Sequence, residues 1–270
     1  MSRSPGPRRV RTTILSIVTV VALVGSGVAI YLALGDKTSS CRVDLDQSSY
    51  KLELDQAQHA TTIAAVGKRM GLADHAVTVA LAAALQESNL HNLAHGDRDS
   101  LGLFQQRPSQ GWGTPSQVMD PAYAAAAFFT HLAKVDGWET LPVTTAAQEV
   151  QRSGAPDAYA RWEPEATTLA IALTGERPAA FTCRGKTPKA STALPSLQAT
   201  MTAELGPTDL TATFAVARGW TVASWLVGHA ARFGISAVTF DGHRWTPSSG
   251  KWRNHSPAVA RVDIEPTSLT

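Results

Sequence analysis

Residues 74–106 carry the sequence DHAVTVALAAALQESNLHNLAHGDRDSLGLFQQ, on which the expected architecture of the first half of the chain rests. Asp74 is a favourable N-cap, and Val77 and Leu81 begin an apolar stripe at helical spacing, so we predict a helix that ends near Ser88. A polar, turn-forming stretch follows it. The closing segment SLGLFQQ is the only part of this region that looks extended. The pattern predicts a helix leading through a loop into a short extended or hairpin-like element.

Helical patterns also surround this stretch. Apolar spacing and terminal residues predict further helices over 57–71, after the Asp120–Pro121 cap, from Thr144 or Thr145 to Gly154, and over 156–174. Residues 52–183 are therefore predicted to form a mainly α, nearly all-helical domain.

A second, smaller domain is predicted over residues 196–270, after a linker at 184–195 that is rich in Lys, Pro, Ser and Thr. Its pattern gives a strand over 211–217, a helix over 220–233, a hairpin around Asp241–Gly242 and a last strand over 258–265. The expected fold is a small α+β module, and the sequence leaves its role open.

The N-terminus has the pattern of a membrane anchor. Residues 1–12 are a basic tail with four arginines, and residues 13–34 contain no charged residue. As a helix, that apolar run would be about 33 Å long, enough to span a bilayer. The positive-inside rule then predicts a single-pass protein of the bacterial cell membrane, with a cytoplasmic N-terminus and a polar spacer over 35–51 outside. A cleaved signal peptide is the alternative.

Composition excludes several classes of protein. With 44% hydrophobic and 17% charged residues, the chain is not disordered, and no second apolar segment supports a channel or transporter. The four N-terminal arginines account for the positive net charge of +2, so no nucleic-acid partner is expected. The chain after Cys183 has nine basic and five acidic residues and four of the seven tryptophans. That module either binds an anionic polymer or uses its tryptophans as a core.

Two cysteines, Cys41 and Cys183, follow the apolar segment. An even number of cysteines in an oxidising compartment favours a disulfide bond, and this pair brackets the predicted helical domain. Two unconnected buried thiols are the alternative.

Glu87 is the leading candidate for a catalytic residue. It lies at the C-terminal end of a helix made almost wholly of Ala, Val and Leu. Burial and the negative end of the helix dipole both raise the pKa of a carboxyl group in such a position. A carboxyl that stays protonated near neutral pH suits a general acid that cleaves a glycosidic bond. An exposed glutamate at a frayed helix end is the alternative.

The surrounding motifs resemble the lysozyme-like superfamily, in the form found in soluble lytic transglycosylases. That family pairs a Glu-Ser at a helix end with a downstream Gly-Leu-Met-Gln, and here these are Glu87–Ser88 and Gly102–Gln105, with phenylalanine in place of methionine. The continuation QQRPSQGWG and the later DPAYAAAAFF look like anchored or secreted actinobacterial members. The resemblance covers roughly 57–175. The family's Ala-Tyr-Asn motif is missing, and Tyr159 of VQRSGAPDAY stands in its region.

The resemblance implies cleavage of the β-1,4 bond between N-acetylmuramic acid and N-acetylglucosamine in peptidoglycan glycan strands, with Glu87 as the acid and then the base. Ser88 is expected to support the acid or an N-acetyl group, and Gln105 to bond the sugar or orient Glu87. Trp112 is expected to stack on a sugar or to be a buried anchor. Tyr159 is expected to help bind the substrate.

Two alternative functions stay open. A muramidase that hydrolyses the bond needs a second carboxylate, and Asp97 and Asp99 are the candidates unless they only form a turn. A wall-binding or assembly protein would keep the cleft without turnover. The sequence identifies no protein partner.

No cofactor and no metal are expected. His91 and His95 lie near Asp97 and Asp99, but no zinc motif accompanies them. The chain also has no glycine-rich phosphate loop and no G-x-S-x-G nucleophile motif.

Overall fold

The computed structural model describes residues 39–186 and 194–266. The helices are α1 (Leu54–Arg69), α2 (Asp74–Ser88), α3 (Pro115–Val118), α4 (Pro121–Leu132), α5 (Val143–Gln151), α6 (Glu163–Leu173), α7 (Leu194–Leu205), α8 (Val216–Gly228) and α9 (Ala230–Phe233). The strands are β1 (Ser40–Leu45), β2 (Ser48–Leu52), β3 (Phe181–Arg184), β4 (Ile235–Phe240), β5 (His243–Thr246), β6 (Lys251–Asn254) and β7 (Asp263–Pro266).

The predicted cytoplasmic tail, the apolar segment 13–34 and the centre of the linker, 187–193, lie outside these ranges. In the part of the chain that is described, no helix combines the length and the apolar character needed to cross a membrane. The described residues form a mixed α/β structure, with helices and two small antiparallel sheets.

The first sheet corrects two predictions. The strands run in the order β2–β1–β3, so residues 40–52 form a hairpin rather than a spacer, and the helical region is not all-α. Cys41 and Val43 point into the core and alternate with exposed Arg42 and Asp44. Only a few apolar residues mark each strand, and the partner β3 comes after the helices. In the sequence, so short a pattern of alternating apolar and polar residues is difficult to distinguish from a polar loop.

The disulfide between Cys41 and Cys183 is confirmed. These residues are also directly paired in the β1–β3 ladder. The bond therefore ties the strand before the helices to the strand after them.

The predicted helices of the first half are present. α2 begins at Asp74, although Ala73 rather than Asp74 is its cap, and it is buried along nearly its whole length. The Asp120 carboxylate caps α4 by accepting bonds from two backbone N–H groups, and Pro121 follows at the first helical position. The last predicted helix is shorter than expected, because regular α-helix begins only at Glu163. These helices enclose α2 and fix the position of its C-terminal end.

The C-terminal region follows its predicted pattern only in part. The hairpin is confirmed, with β4 and β5 joined at Asp241–Gly242. The predicted strand over 211–217 is wrong. The Asp209 carboxylate accepts bonds from the backbone N and Oγ1 of Thr211, which makes a turn there, and α8 starts at Val216. The four-stranded sheet has the order β6–β5–β4–β7.

The helical region and the C-terminal region share one hydrophobic core. α8 packs so closely on α1 that a Cβ on Gly228 would lie 2.7 Å from Oγ1 of Thr61. Buried Glu204 of α7 joins the two regions, since it accepts 2.7 Å hydrogen bonds from Thr62 of α1 and Trp225 of α8. Three of the four C-terminal tryptophans are at most 1% exposed and belong to this core. The boundary predicted at 184–195 does not separate two cores.

Candidate active site at the end of α2

Glu87 lies in the last turn of α2, where the backbone takes an unusual course. Asn89 and Leu90 both have left-handed conformations, with φ of 51° and 61°. Such conformations are disfavoured for residues other than glycine and need support. α1 supplies that support, because Gln56 Nε2 donates to the Asn89 carbonyl (2.8 Å) and His59 Nδ1 to the Leu90 carbonyl (2.7 Å). α1 therefore fixes the turn that directly follows the candidate acid.

The carboxyl group of Glu87 is half-buried and hydrogen-bonded. The hydroxyl of Tyr159 donates to its Oε1 at 2.7 Å, and Gln151 contributes a second side-chain hydrogen bond. Burial raises the pKa of Glu87 above its ordinary value, and the two hydrogen bonds, which favour the carboxylate, oppose this only in part. The environment therefore favours a protonated Glu87 at higher pH than for an exposed glutamate.

Tyr159 is fully buried and stays a neutral hydrogen-bond donor. Its own burial, followed by the charge of Glu87, raises the pKa of its phenol well above the usual range. Three residues later, Trp162 Nε1 donates to Gln86 Oε1 at 2.9 Å. The short segment before α6 is thus bonded to two consecutive side chains of α2. The structure places Tyr159 beside the acid, buried behind it.

Ser88 connects the helix end to the following loop. It is 7% exposed, and its hydroxyl lies 2.7 Å from the Leu103 carbonyl and 3.1 Å from the Ala84 carbonyl. With one proton to donate, the hydroxyl is committed to these backbone oxygens. The position fits support of the neighbouring Glu87 better than direct contact with a sugar.

The loop after α2 contains the predicted extended element. Isolated bridges join Leu93 to Gly102 and Leu101 to Gln106. Gln105 is half-buried, with its Nε2 3.2 Å from the Gly102 carbonyl and 3.3 Å from the His95 carbonyl. Its amide nitrogen therefore holds the loop together, and Gln105 forms no hydrogen bond with Glu87.

The two candidate second carboxylates have different surroundings. Asp99 accepts bonds from the Ser109 backbone N (2.8 Å), from Arg107 Nε (2.9 Å) and from Ser109 Oγ (3.0 Å). These bonds hold the pKa of Asp99 well below its usual range, the Ser109 backbone bond most of all. Asp97 has a side chain that is 90% exposed and lies 3.9 Å from Arg98. Asp99 thus fastens a loop, and Asp97 faces solvent.

A cleft of about 930 Å³ is lined by Gln151, one of the two partners of Glu87, whereas Glu87 itself is not part of the lining. Trp112 lines it and packs against His131, with 4.1 Å between ring centroids. Gln151 lines the same cleft and also donates to the Phe104 carbonyl at 2.9 Å. Gln151 therefore links the cleft to Glu87. The remaining cleft residues include Gln110, Lys134, Asp136, Leu141, Thr145, Glu149 and Arg152.

Sequence reasoning missed Gln151 as a site residue. It is one of several polar residues near the end of a predicted helix, and nothing local distinguishes it. His59 was also missed, because a histidine within a helix has no signal that points to a carbonyl 31 residues away. Trp112 was identified from its sequence context, and it lies at the cleft.

The histidines near Asp97 do not form the cluster that was considered for a metal. His91 instead lies with Glu53 and Asp55, its Nδ1 2.9 Å from Asp55 Oδ2. The potential ligand atoms of this trio lie within 4.8 Å of one another, and the two acids are exposed. Such exposed groups are a common surface arrangement, and this one pairs a histidine with a carboxylate.

A comparison with protein-family models gives no match for this chain, and a comparison with curated proteins gives none either.

Proposed function

We propose that this protein is a peptidoglycan lytic transglycosylase that uses Glu87 as its single acid and base. The observation that carries the proposal is the half-buried Glu87 carboxyl, whose pKa is raised by burial and whose partners are Tyr159 and Gln151, the second of which also lines a large cleft. The motif resemblance around Glu87–Ser88 and Gly102–Gln105 supplies the substrate. The proposal includes anchorage by the apolar segment 13–34, with the chain after it outside the cytoplasm.

In the first step, protonated Glu87 donates its proton to the oxygen that links N-acetylmuramic acid to N-acetylglucosamine. The bond between that oxygen and C1 of the muramic residue then breaks, and charge develops at C1 in an oxocarbenium-like transition state. A raised pKa keeps this proton available at higher pH than in an exposed glutamate. The hydrogen bond from Tyr159 stabilises the carboxylate that the transfer leaves behind.

In the second step, the Glu87 carboxylate removes the proton from the 6-hydroxyl of the same muramic residue. The 6-oxygen forms a bond to C1 and closes a 1,6-anhydro ring. Glu87 has then regained the proton that it gave to the leaving group, and no water is consumed. One carboxyl group therefore suffices for the whole reaction.

The surroundings of the aspartates favour this route over hydrolysis. A hydrolase needs a second carboxylate placed for attack or for activation of water. Asp99 is engaged by Arg107 and Ser109, and Asp97 lies in solvent on the same loop. Neither carboxylate forms a hydrogen bond with Glu87, Tyr159 or Gln151.

The test is incubation of the purified full chain, in a neutral detergent, with peptidoglycan sacculi, followed by mass spectrometry of the released fragments. Wild type should release fragments with 1,6-anhydro ends. Glu87→Gln keeps the size of the side chain but has no proton to transfer, so release should fall about a hundred- to ten-thousand-fold. Exposed Glu139 lies outside the cleft lining, and Glu139→Gln is the matched control.

Each other outcome has a definite meaning. Fragments with reducing ends would reject the anhydro route and indicate a muramidase. Equal traces of product from wild type and Glu87→Gln, with sacculi retained on the protein, would reject catalysis and favour a wall-binding protein.

A further inference from the structure

A second candidate site lies on the outer face of the β2–β1–β3 sheet, whose inner face carries the disulfide. Because side chains alternate along a strand, the residues next to Cys41 and Cys183 point away from the core. The register places Arg42 opposite Lys51 on one side and opposite Thr182 on the other. In the next row, Ser40 is opposite Arg184. This face therefore concentrates basic and hydroxyl side chains.

The turn between β5 and β6 completes a groove over this face. It is held there by two indole groups, since Trp245 Nε1 donates to the Cys183 carbonyl and Trp252 Nε1 to the Phe181 carbonyl, both at 2.9 Å. A Cβ on Gly250 would lie 2.6 Å from Cβ of Arg184, so the turn touches the strand. The groove has a volume of about 390 Å³, and its lining is Ser40, Arg42, Ser49, Lys51, Thr182, Arg184, Ser249, Gly250 and Lys251.

The charges that line this groove are all positive. Arg42 has a partner, because its Nε lies 2.7 Å from Oδ2 of Asp44 at the edge of the groove. Within residues 39–186 and 194–266, the other three cations, Lys51, Arg184 and Lys251, have no carboxylate at salt-bridge distance. Like charges on directly opposed residues, as at Arg42 and Lys51, destabilise a sheet unless an anion lies between them.

The floor of the groove has an unused hydrogen-bonding group. Thr182 is 9% exposed, and its Oγ1 has no hydrogen-bond partner among the described residues. An unsatisfied hydroxyl in a buried position costs stability, and native structures contain few of them. Thr182 lines the groove opposite Arg42 and two residues before Arg184, and its covered hydroxyl would meet a ligand's oxygen atoms after a rotation of the side chain towards the groove.

We propose that this groove binds phosphate groups, in the form of phosphate esters such as those of anionic lipids or phosphate polymers. Arg42 and Arg184 supply planar guanidinium forks that match phosphate oxygens, and Lys51 and Lys251 supply point charges on either side. Ser40 and Thr182 add hydroxyl groups, whereas the hydroxyls of Ser49 and Ser249 already donate to Asp44 Oδ1 and to backbone carbonyls. The lining contains no aromatic residue, so stacking on a nucleobase or sugar ring is not a feature of this site.

The site is separate in composition from the proposed active site. None of its lining residues lines the cleft of Trp112 and Gln151. The proposal therefore stands or falls independently of the proposed lytic activity.

The binding test uses tripolyphosphate as the probe, titrated into the purified full chain in neutral detergent by isothermal calorimetry. Wild type should bind it with an affinity that falls as salt rises, since charges are neutralised on binding. The double variant Lys51→Gln/Arg184→Gln should bind at least about tenfold more weakly, which corresponds to about 1.4 kcal/mol. The exposed Arg253, on the same strand as Lys251, lies outside the lining. Arg253→Gln removes one positive charge outside the lining and should bind like wild type, whereas the matched single variant Arg184→Gln should bind more weakly.

Thr182→Val is a second variant, in which thermal stability and tripolyphosphate affinity should not fall together. It removes the unsatisfied hydroxyl at nearly constant volume, so the melting temperature should stay equal or rise while tripolyphosphate affinity falls. A fall in melting temperature with unchanged affinity would assign Thr182 a structural role and remove it from the site.

Vesicles separate the two sources of phosphate. Sedimentation with phosphatidylglycerol vesicles, but not with phosphatidylcholine vesicles, and release by tripolyphosphate would identify a lipid headgroup as ligand. Binding of tripolyphosphate without vesicle binding would identify soluble phosphate polymers. Absence of binding to both probes, or equal losses in Arg253→Gln and in the double variant, would overturn the proposal.

Discussion

The hydroxyl of Tyr159 donates a 2.7 Å hydrogen bond to Oε1 of Glu87, which lies 72 residues earlier in the chain. The bond orients the carboxyl group, and it favours the charged form that burial disfavours. Tyr159 therefore moderates the pKa of the acid that it holds. A balance of this kind suits a group that gives up a proton and takes it back in one reaction cycle.

Tyr159→Phe should shift the pH dependence of activity. Loss of the hydrogen bond to the carboxylate raises the pKa of Glu87 further, so the protonated acid persists to higher pH. The alkaline limb of kcat/KM on sacculi should move upward by about one pH unit, since one unit corresponds to about 1.4 kcal/mol, the size of one such bond. Tyr50→Phe makes the same chemical change on β2 and should leave the profile unmoved. A downward shift of the limb in Tyr159→Phe would contradict the argument.

Asp99→Asn and Asp97→Asn should differ in stability while both keep activity. The bonds from Ser109 and Arg107 hold the pKa of Asp99 below its usual range. Its carboxylate therefore stabilises the fold at pH values above that range, and the contribution is lost as pH falls below it. At neutral pH, Asp99→Asn should lower the melting temperature, and Asp97→Asn should leave it unchanged. A folded Asp variant without activity would instead point to a second catalytic carboxylate.

Buried His229 should make the protein less stable in mild acid. It is 0% exposed, its Nδ1 lies 2.9 Å from the Trp225 carbonyl, and burial lowers its pKa to about 3. Between pH 6.5 and 3, the unfolded chain gains a proton at this residue that the folded chain does not, so stability falls as pH falls. Nearby Glu204 has a pKa raised by burial and acts in the opposite sense, and nearby Arg232 and His59 further disfavour a charged His229.

The measurement is urea unfolding at pH 7, 6, 5 and 4. The free energy of unfolding of wild type should fall more steeply than that of His229→Gln, by about 1 kcal/mol per pH unit below pH 6. Exposed His255 is the control, and His255→Gln should keep the wild-type slope. Parallel slopes for wild type and His229→Gln would show that His229 does not carry the pH dependence.

Removal of the disulfide should lower stability strongly. Cys41 and Cys183 are 142 residues apart, and the entropy of closing such a loop corresponds to about 4–5 kcal/mol. Urea unfolding of the Cys41→Ala/Cys183→Ala variant should show a loss of that order. Thiol labelling of the native wild type should require a reductant, and labelling without one would remove the basis of this prediction.

The helices and one hairpin were predictable because their signals are local. Asp120–Pro121 caps a helix through its own backbone neighbourhood, and Asp241–Gly242 forms a turn between two alternating segments. The hairpin of β1 and β2 was missed, since its buried residues are few and the other partner of β1, β3, lies far along the chain, after the helices. The strand expected over 211–217 failed because the turn at Asp209 overrides a pattern of β-favouring residues.

The central residues of the candidate site could be predicted from the sequence, and the residues around them less well. Glu87 and Tyr159 were identified from motif positions, and they are in contact. Gln151 and His59 act through contacts with residues far along the chain, which no local pattern encodes. Asp99 could be read as a loop residue or as a catalytic group until its bonds to Ser109 and Arg107 were known.

The bond between Cys41 and Cys183 also sets the path of mechanical tension through the chain. A pulling force applied between Ser39 and Gly185 passes through the sulfur–sulfur bond and the paired strands β1 and β3. The helices between the two cysteines, with Glu87 and its partners, lie in a closed covalent loop outside that path. Pulling Ser39 and Gly185 apart would open at most the terminal Ser40–Arg184 pair, because the disulfide at the next pair takes up the force, and the loop that contains the helices would carry none of it.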